Sequence, residues 1–115
     1  MRLPNFERAT IDLRKLRDYA LNPNHPEGRH KARVFLSSLG ITREESEWLA
    51  SALAEGLQTA EAFEVERTLW GTVYKVDMQL RKGCRCATVR TGWLCQGFAT
   101  KLTTCFIVGE CDETT

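Results

Sequence analysis

No stretch of this sequence approaches the ~20 consecutive apolar residues that a membrane-spanning helix requires, so a helical membrane protein is excluded. Residues 1–7 hold no apolar core, which predicts no secretory leader. A Gly-rich phosphate loop, a His-Glu-x-x-His pair and an EF-hand loop are all missing. Repeats, low-complexity tracts and linkers are missing too. Net charge is nearly absent: 16 Lys and Arg stand against 15 Asp and Glu, leaving +1. What remains is an ordinary globular composition, 43% hydrophobic and 27% charged, which argues against disorder. The 115 residues suffice for one domain, residues 1–115, with a core that needs no metal or disulfide staple.

The five cysteines, Cys84, Cys86, Cys95, Cys105 and Cys111, all fall in the last third. Cys84 and Cys86 are spaced C-x-C, not the C-x-x-C of redox and zinc motifs, and no second Cys/His pair has zinc spacing. An odd count without a leader predicts reduced thiols and a cytoplasmic protein, with no metal and no cofactor.

The small net charge conceals segregation. Residues 1–35 carry eight basic and four acidic side chains, residues 36–66 one and seven, residues 67–101 seven and one, residues 102–115 none and three. Two basic blocks folded together would form one positive surface, suited to a polyanion or an acidic protein. Charges that are merely solvated are the plain alternative.

Helical periodicity comes first along the chain. Asp12 can cap a helix running to about Leu21, with Leu13, Leu16 and Ala20 inward and Tyr19 at the margin of that stripe. A second helix starts near Pro26, buries Ala32, Phe35, Leu36 and Leu39 at i, i+3, i+4 and i+7, and ends at Gly40. Thr42 and Glu45 form a capping box that opens a third helix, with Leu49, Ala52, Leu53 and Leu57 inward and Glu44 and Glu47 in solvent. The period then falls to two. Residues 72–80 and 85–95 read as strands joined by a turn at 81–83; residues 102–108 form another, and a weaker one lies within 63–68. Trp48, Trp70 and Trp93 are expected in the core or at its rim, base stacking by Trp93 being the alternative. The expected class is α+β: two or three N-terminal helices packed on a three- to four-stranded antiparallel sheet.

The densest polar cluster is His25-Pro26-Glu27-Gly28-Arg29-His30-Lys31-Ala32-Arg33, at a helix start. Helix N-termini attract phosphate, and Gly28 permits close approach of another group to the backbone. Lys31 lies at the edge of the buried stripe, from which it reaches over the sheet or snorkels. Metal-free RNA cleavage needs these side-chain types: a base for the 2′-OH proton, an acid for the 5′-oxygen and cations for the phosphate charge. Histidine suits the proton steps. A solvated helix face, with His25 in a turn hydrogen bond, is the competing reading.

Residues 16–35, which contain His25-x-x-Gly28-Arg29-x-Lys31-Ala32-Arg33-x-Phe35, resemble the opening signature of a small bacterial domain family of unassigned function. That family occurs alone or as a C-terminal module of phage-head-like and polymorphic-toxin-like proteins. Ala87-Thr88-Val89-Arg90-Thr91-Gly92-Trp93 and Lys101-Leu102-Thr103-Thr104-Cys105-Phe106 match in the same order. Residues 83–86 depart from the Gly/Asn-rich turn usual there. The family is distantly similar to the barnase/EndoU/colicin/RelE group of ribonuclease toxins, a likeness at fold level. The resemblance implies His25, Lys31, Arg90 and Thr104 as catalytic candidates: His25 for acid/base work, Lys31 and Arg90 for the phosphate, Thr104 to orient it. Arg29, His30 and Arg33 are candidate substrate-binding residues, His30 standing where the family varies. The expected function is a toxin-like, metal-independent ribonuclease with RNA as substrate and a cognate antitoxin or immunity protein as partner. The alternatives are a non-catalytic module binding nucleic acid or an acidic protein, and an immunity-type protein.

Overall fold

A computed structural model describes residues 1–111. After a 3-10 turn at Phe6–Arg8 come α1 (Leu13–Lys15), α2 (Arg29–Leu39), a 3-10 turn at Arg43–Glu45 and α3 (Ser46–Gly56). Four strands follow: β1 (Ala62–Thr68), β2 (Gly71–Lys82), β3 (Arg85–Gln96) and β4 (Ala99–Glu110). They form one antiparallel meander in the order β1-β2-β3-β4, so the class is α+β with the helices preceding the sheet. Among the described residues no helix is long and apolar enough to cross a membrane.

The first helix is shorter than its periodicity predicts. Asp12 does cap it, accepting a hydrogen bond from the Arg14 amide at 2.9 Å. After Lys15 the chain widens into a π turn, Leu16–Ala20, closed by the Leu21 amide on the Leu16 carbonyl. The wide turn keeps Leu16, Ala20 and Leu21 buried together and carries Tyr19 to the side. Residues 26–28 are turn, so α2 begins at Arg29, and it ends at Gly40 in the left-handed conformation as expected. Of its predicted stripe, Ala32, Phe35 and Leu39 are buried but Leu36 is 52% exposed. The capping box of Thr42 and Glu45 forms and leads into α3, which buries Leu49 and Leu53.

On the sheet, Val76, Met78 and Leu80 of β2 and Ala87, Val89, Thr91 and Trp93 of β3 share the buried face with Leu102 and Cys105 of β4. Each fully buried large apolar side chain here contributes roughly 1.5–3 kcal/mol relative to exposure. Trp93 is fully enclosed, which closes the base-stacking alternative; its Nε1 donates to Thr91 Oγ1 at 2.7 Å, and that hydroxyl donates to the Val76 carbonyl. Trp70, in contrast, stands exposed at the β1–β2 hairpin. The tight turn falls at Gly83 and Cys84, not at 81–83, because β2 and β3 stay paired to Lys82 and Arg85.

One expectation about cysteine is corrected. Cys86 and Cys111 are joined as a disulfide, and Cys84, Cys95 and Cys105 are free. The β3–β4 register pairs Ala87 with Glu110, which sets the two flanking cysteines opposite each other with Cα atoms 5.5 Å apart. Burial pushes the Cys105 thiol up to about 12, so it is protonated and unreactive.

Candidate functional site

Lys31 decides the geometry of the site. It leaves α2 at the edge of the buried stripe and reaches β4, where its Nζ donates to Thr104 Oγ1 at 3.2 Å. The same Nζ donates to the Tyr19 hydroxyl at 3.0 Å and lies 4.5 Å from the Tyr19 ring centre and 5.4 Å from that of Phe106. Tyr19 in turn meets the His25 ring edge-on, with centroids 4.8 Å apart. Two signature segments distant in sequence, residues 16–35 and 101–106, thus converge. Asp12, Arg14, Lys15, Asp18, Tyr19, His25, Glu27, Thr103 and Thr104 line an open cleft of about 690 Å³, which Tyr19 and Thr104 share with the Lys31 cluster; Lys31 itself lines the neighbouring shallow groove.

Local structure explains each placement. Tyr19 sits in the π turn, a feature that recurs at functional sites. Gly28 allows the start of α2 to pack on that turn: a Cβ there would lie 2.0 Å from the Tyr19 carbonyl oxygen. The close approach expected at Gly28 is therefore one made by the chain itself. Thr104 follows an irregularity in β4, where the register shifts between Gly92 and Trp93 of β3. Gly92 makes room for it, since a Cβ there would meet Thr104 Cγ2 at 2.8 Å and Thr103 Oγ1 at 3.1 Å.

His25 is held by the helix start. Its Nδ1 accepts hydrogen bonds from the amides of Glu27 at 3.0 Å and Gly28 at 2.9 Å. The ring proton then belongs on Nε2, a hydrogen-bond donor. Those amides are the ones that a phosphate would have sought at this N-terminus. The carboxylates of the cleft are mostly spoken for. Asp12 is held below the usual carboxylate range by its hydrogen bonds from Arg14, and Asp18 likewise by Arg17 and Arg43. Glu27 has no ion-pair partner among the described residues. Neither has Lys31, whose hydrogen-bonding partners are neutral hydroxyls.

A family model described as Domain of unknown function (DUF6883) matches residues 2–109. The chain belongs to that family. No curated protein and no solved structure matches it.

The remaining candidates of this DUF6883 chain lie outside the cleft. Arg90 faces away from the helices and binds Asp77 across the β2–β3 pair, Nε to Oδ1 at 2.9 Å and Nη2 to Oδ2 at 3.0 Å. Hydrogen bonding from Arg90 lowers the Asp77 carboxyl and raises the guanidinium. Arg29 and Arg33 line a separate groove on α2, and His30 lines a shallow one with Lys31, Val34, Phe106 and Ile107. Tyr19, at the margin of an apolar stripe, and Glu27, within the polar cluster, belong to the cleft without having been expected there. The available signal was position, since both stand within the signature that holds His25 and Lys31.

Proposed function

We propose that the cleft binds a phosphate of RNA and that the protein is a toxin-like ribonuclease needing no metal. One observation carries this reading: the Lys31 ammonium is half-buried against two aromatic rings and two hydroxyls with no carboxylate partner among the described residues. A charge partly withdrawn from water without a counter-ion is poised for an anion. Because Tyr19 and Thr104 accept from Lys31, their own O–H groups are free to donate, as is the third N–H of Lys31. Three donors can thus meet phosphate oxygens in one place.

In the cleavage step the 2′-oxygen attacks phosphorus, the bond to the 5′-oxygen breaks, and a 2′,3′-cyclic phosphate forms. Glu27 takes the 2′-OH proton and Lys31 gives one to the 5′-oxygen. His25 supplies a hydrogen bond from Nε2 to the developing charge, which adjusts its expected acid/base role to that of a fixed donor. Arg90, bound to Asp77, takes no part. A cytoplasmic site of action is part of the same proposal; it rests on RNA as substrate and not on reduced thiols, since Cys86 and Cys111 are bridged. The test is incubation of total RNA with purified protein in EDTA, beside Lys31→Met and His25→Ala. Cleavage by the wild type, at least ~100-fold slower with folded Lys31→Met, is the expected result. Intact RNA with a folded wild type defeats it.

The commitment of His25 Nδ1 to two amides favours a second reading, a non-catalytic module that binds RNA or an acidic protein. It predicts binding that weakens steeply with salt and no cleavage.

A further inference from the structure

Leu36 was expected in the core and stands half out of it, and its surroundings explain the position. It lines a groove of about 450 Å³ with Leu21, Ala32 and Ile41, buried residues that form an apolar floor. Arg29, Arg33 and Leu36 follow each other at i, i+4 and i+7 along α2, a stripe of about 10 Å over two turns. Arg43 closes the far wall with its guanidinium on Asp18 and the Arg17 carbonyl. Arg29 and Arg33 have no ion-pair partner among the described residues. The groove is thus apolar below and basic at its rim, with Glu44 the acidic residue in its lining. It is lined by a different set of residues from the cleft beside Lys31.

We infer that this groove docks an acidic amphipathic helix of a partner protein. An apolar side chain of the partner covers Leu36 and the floor, and flanking carboxylates meet Arg29 and Arg33. Charge complementarity selects this occupant: a basic segment is repelled by the two guanidiniums, and the phosphates of RNA gain nothing from Leu21, Ala32 and Ile41. An exposed leucine one turn beyond two unpaired arginines has the composition of an interface anchor, with an apolar centre and a charged rim.

The inference is independent of RNA cleavage and is tested without it. The probe is a fluorescein-labelled amphipathic helical peptide with leucines at i, i+3, i+4 and i+7 and glutamates flanking them, read by anisotropy. A lysine-flanked version and a single-stranded RNA oligonucleotide serve as comparisons. The acidic peptide binds, the lysine peptide does not, and Leu36→Glu weakens binding at least ~10-fold while the circular dichroism melt stays in place. The double variant Arg29→Glu, Arg33→Glu transfers the preference to the lysine peptide. Absence of saturable binding up to about 1 mM overturns the inference, as does affinity unchanged by Leu36→Glu. RNA that displaces the peptide and is itself weakened by Leu36→Glu would assign the groove to nucleic acid and overturn it as well.

Discussion

Lys31 and Arg90 are part-buried cations each held by two oxygen atoms, yet their partners differ in kind. Arg90 meets the carboxylate of Asp77 at 2.9 and 3.0 Å, while Lys31 meets the hydroxyls of Tyr19 and Thr104 at 3.0 and 3.2 Å. The first pair lies within two neighbouring strands and neutralises itself. The second joins α1's trailing turn, α2 and β4 and leaves its charge uncompensated. A bidentate guanidinium–carboxylate pair has little left to offer a ligand. An ammonium among hydroxyls keeps both its charge and its neighbours' donors available. The contrast separates a cation that ties the sheet together from one poised for an anion.

The largest expected effect is on the Lys31 side. Gly92→Ala crowds Thr104 without touching Lys31, and should lower RNA cleavage or RNA affinity ~10-fold or more by displacing one hydroxyl of the cradle. Arg90→Met should leave either quantity within about twofold and lower Tm by a few degrees. Equal losses in the two variants, measured side by side, would erase the distinction between the clusters.

The open side of the sheet also carries the Cys86–Cys111 bridge, 25 residues apart in sequence. Cys86→Ser, or reduction of the wild type, should cost about 3 kcal/mol in denaturant unfolding and spare the cleft. A melt insensitive to reductant would show that the bridge contributes nothing in solution. On the cleft side, Gly28→Ala drives a methyl into the Tyr19 carbonyl and should cost about 3 kcal/mol. It should also release Tyr19 from Lys31, visible as altered tyrosine ring resonances by NMR.

The smallest effect concerns acid. Hydrogen bonds from Arg90 hold the Asp77 carboxyl below its unfolded value, so its contribution to stability is present above about pH 3.9 and is lost as pH falls through the folded value. Wild type should therefore lose more Tm than Asp77→Asn on going below about pH 4. Parallel curves would remove Asp77 from the acid limb.

Much of this could be read from residue order. The capping box at Thr42 and Glu45, the stop at Gly40 and the alternation in β2 and β3 depend on contacts between near neighbours, so their patterns are legible locally. The π turn was not, because Leu16 and Ala20 stand at i and i+4, a spacing that a regular helix buries equally well within one turn. Leu36 was misread for a related reason: its place on α2 suits burial, but nothing packs over it.

His25, Lys31 and Thr104 were nameable from the chain; Tyr19 and Glu27 were not, and neither was the meeting of these residues. Residue types and short-range spacing determined the helices, the strands, the α+β class and the basic character of the α2 start. Tertiary structure alone decided that Lys31 reaches Thr104, that Arg90 turns to Asp77 and that Cys86 faces Cys111. Each of those depends on strand register and on how α2 lies against the sheet. Register is set by pairing between segments far apart in the chain, which no local pattern encodes.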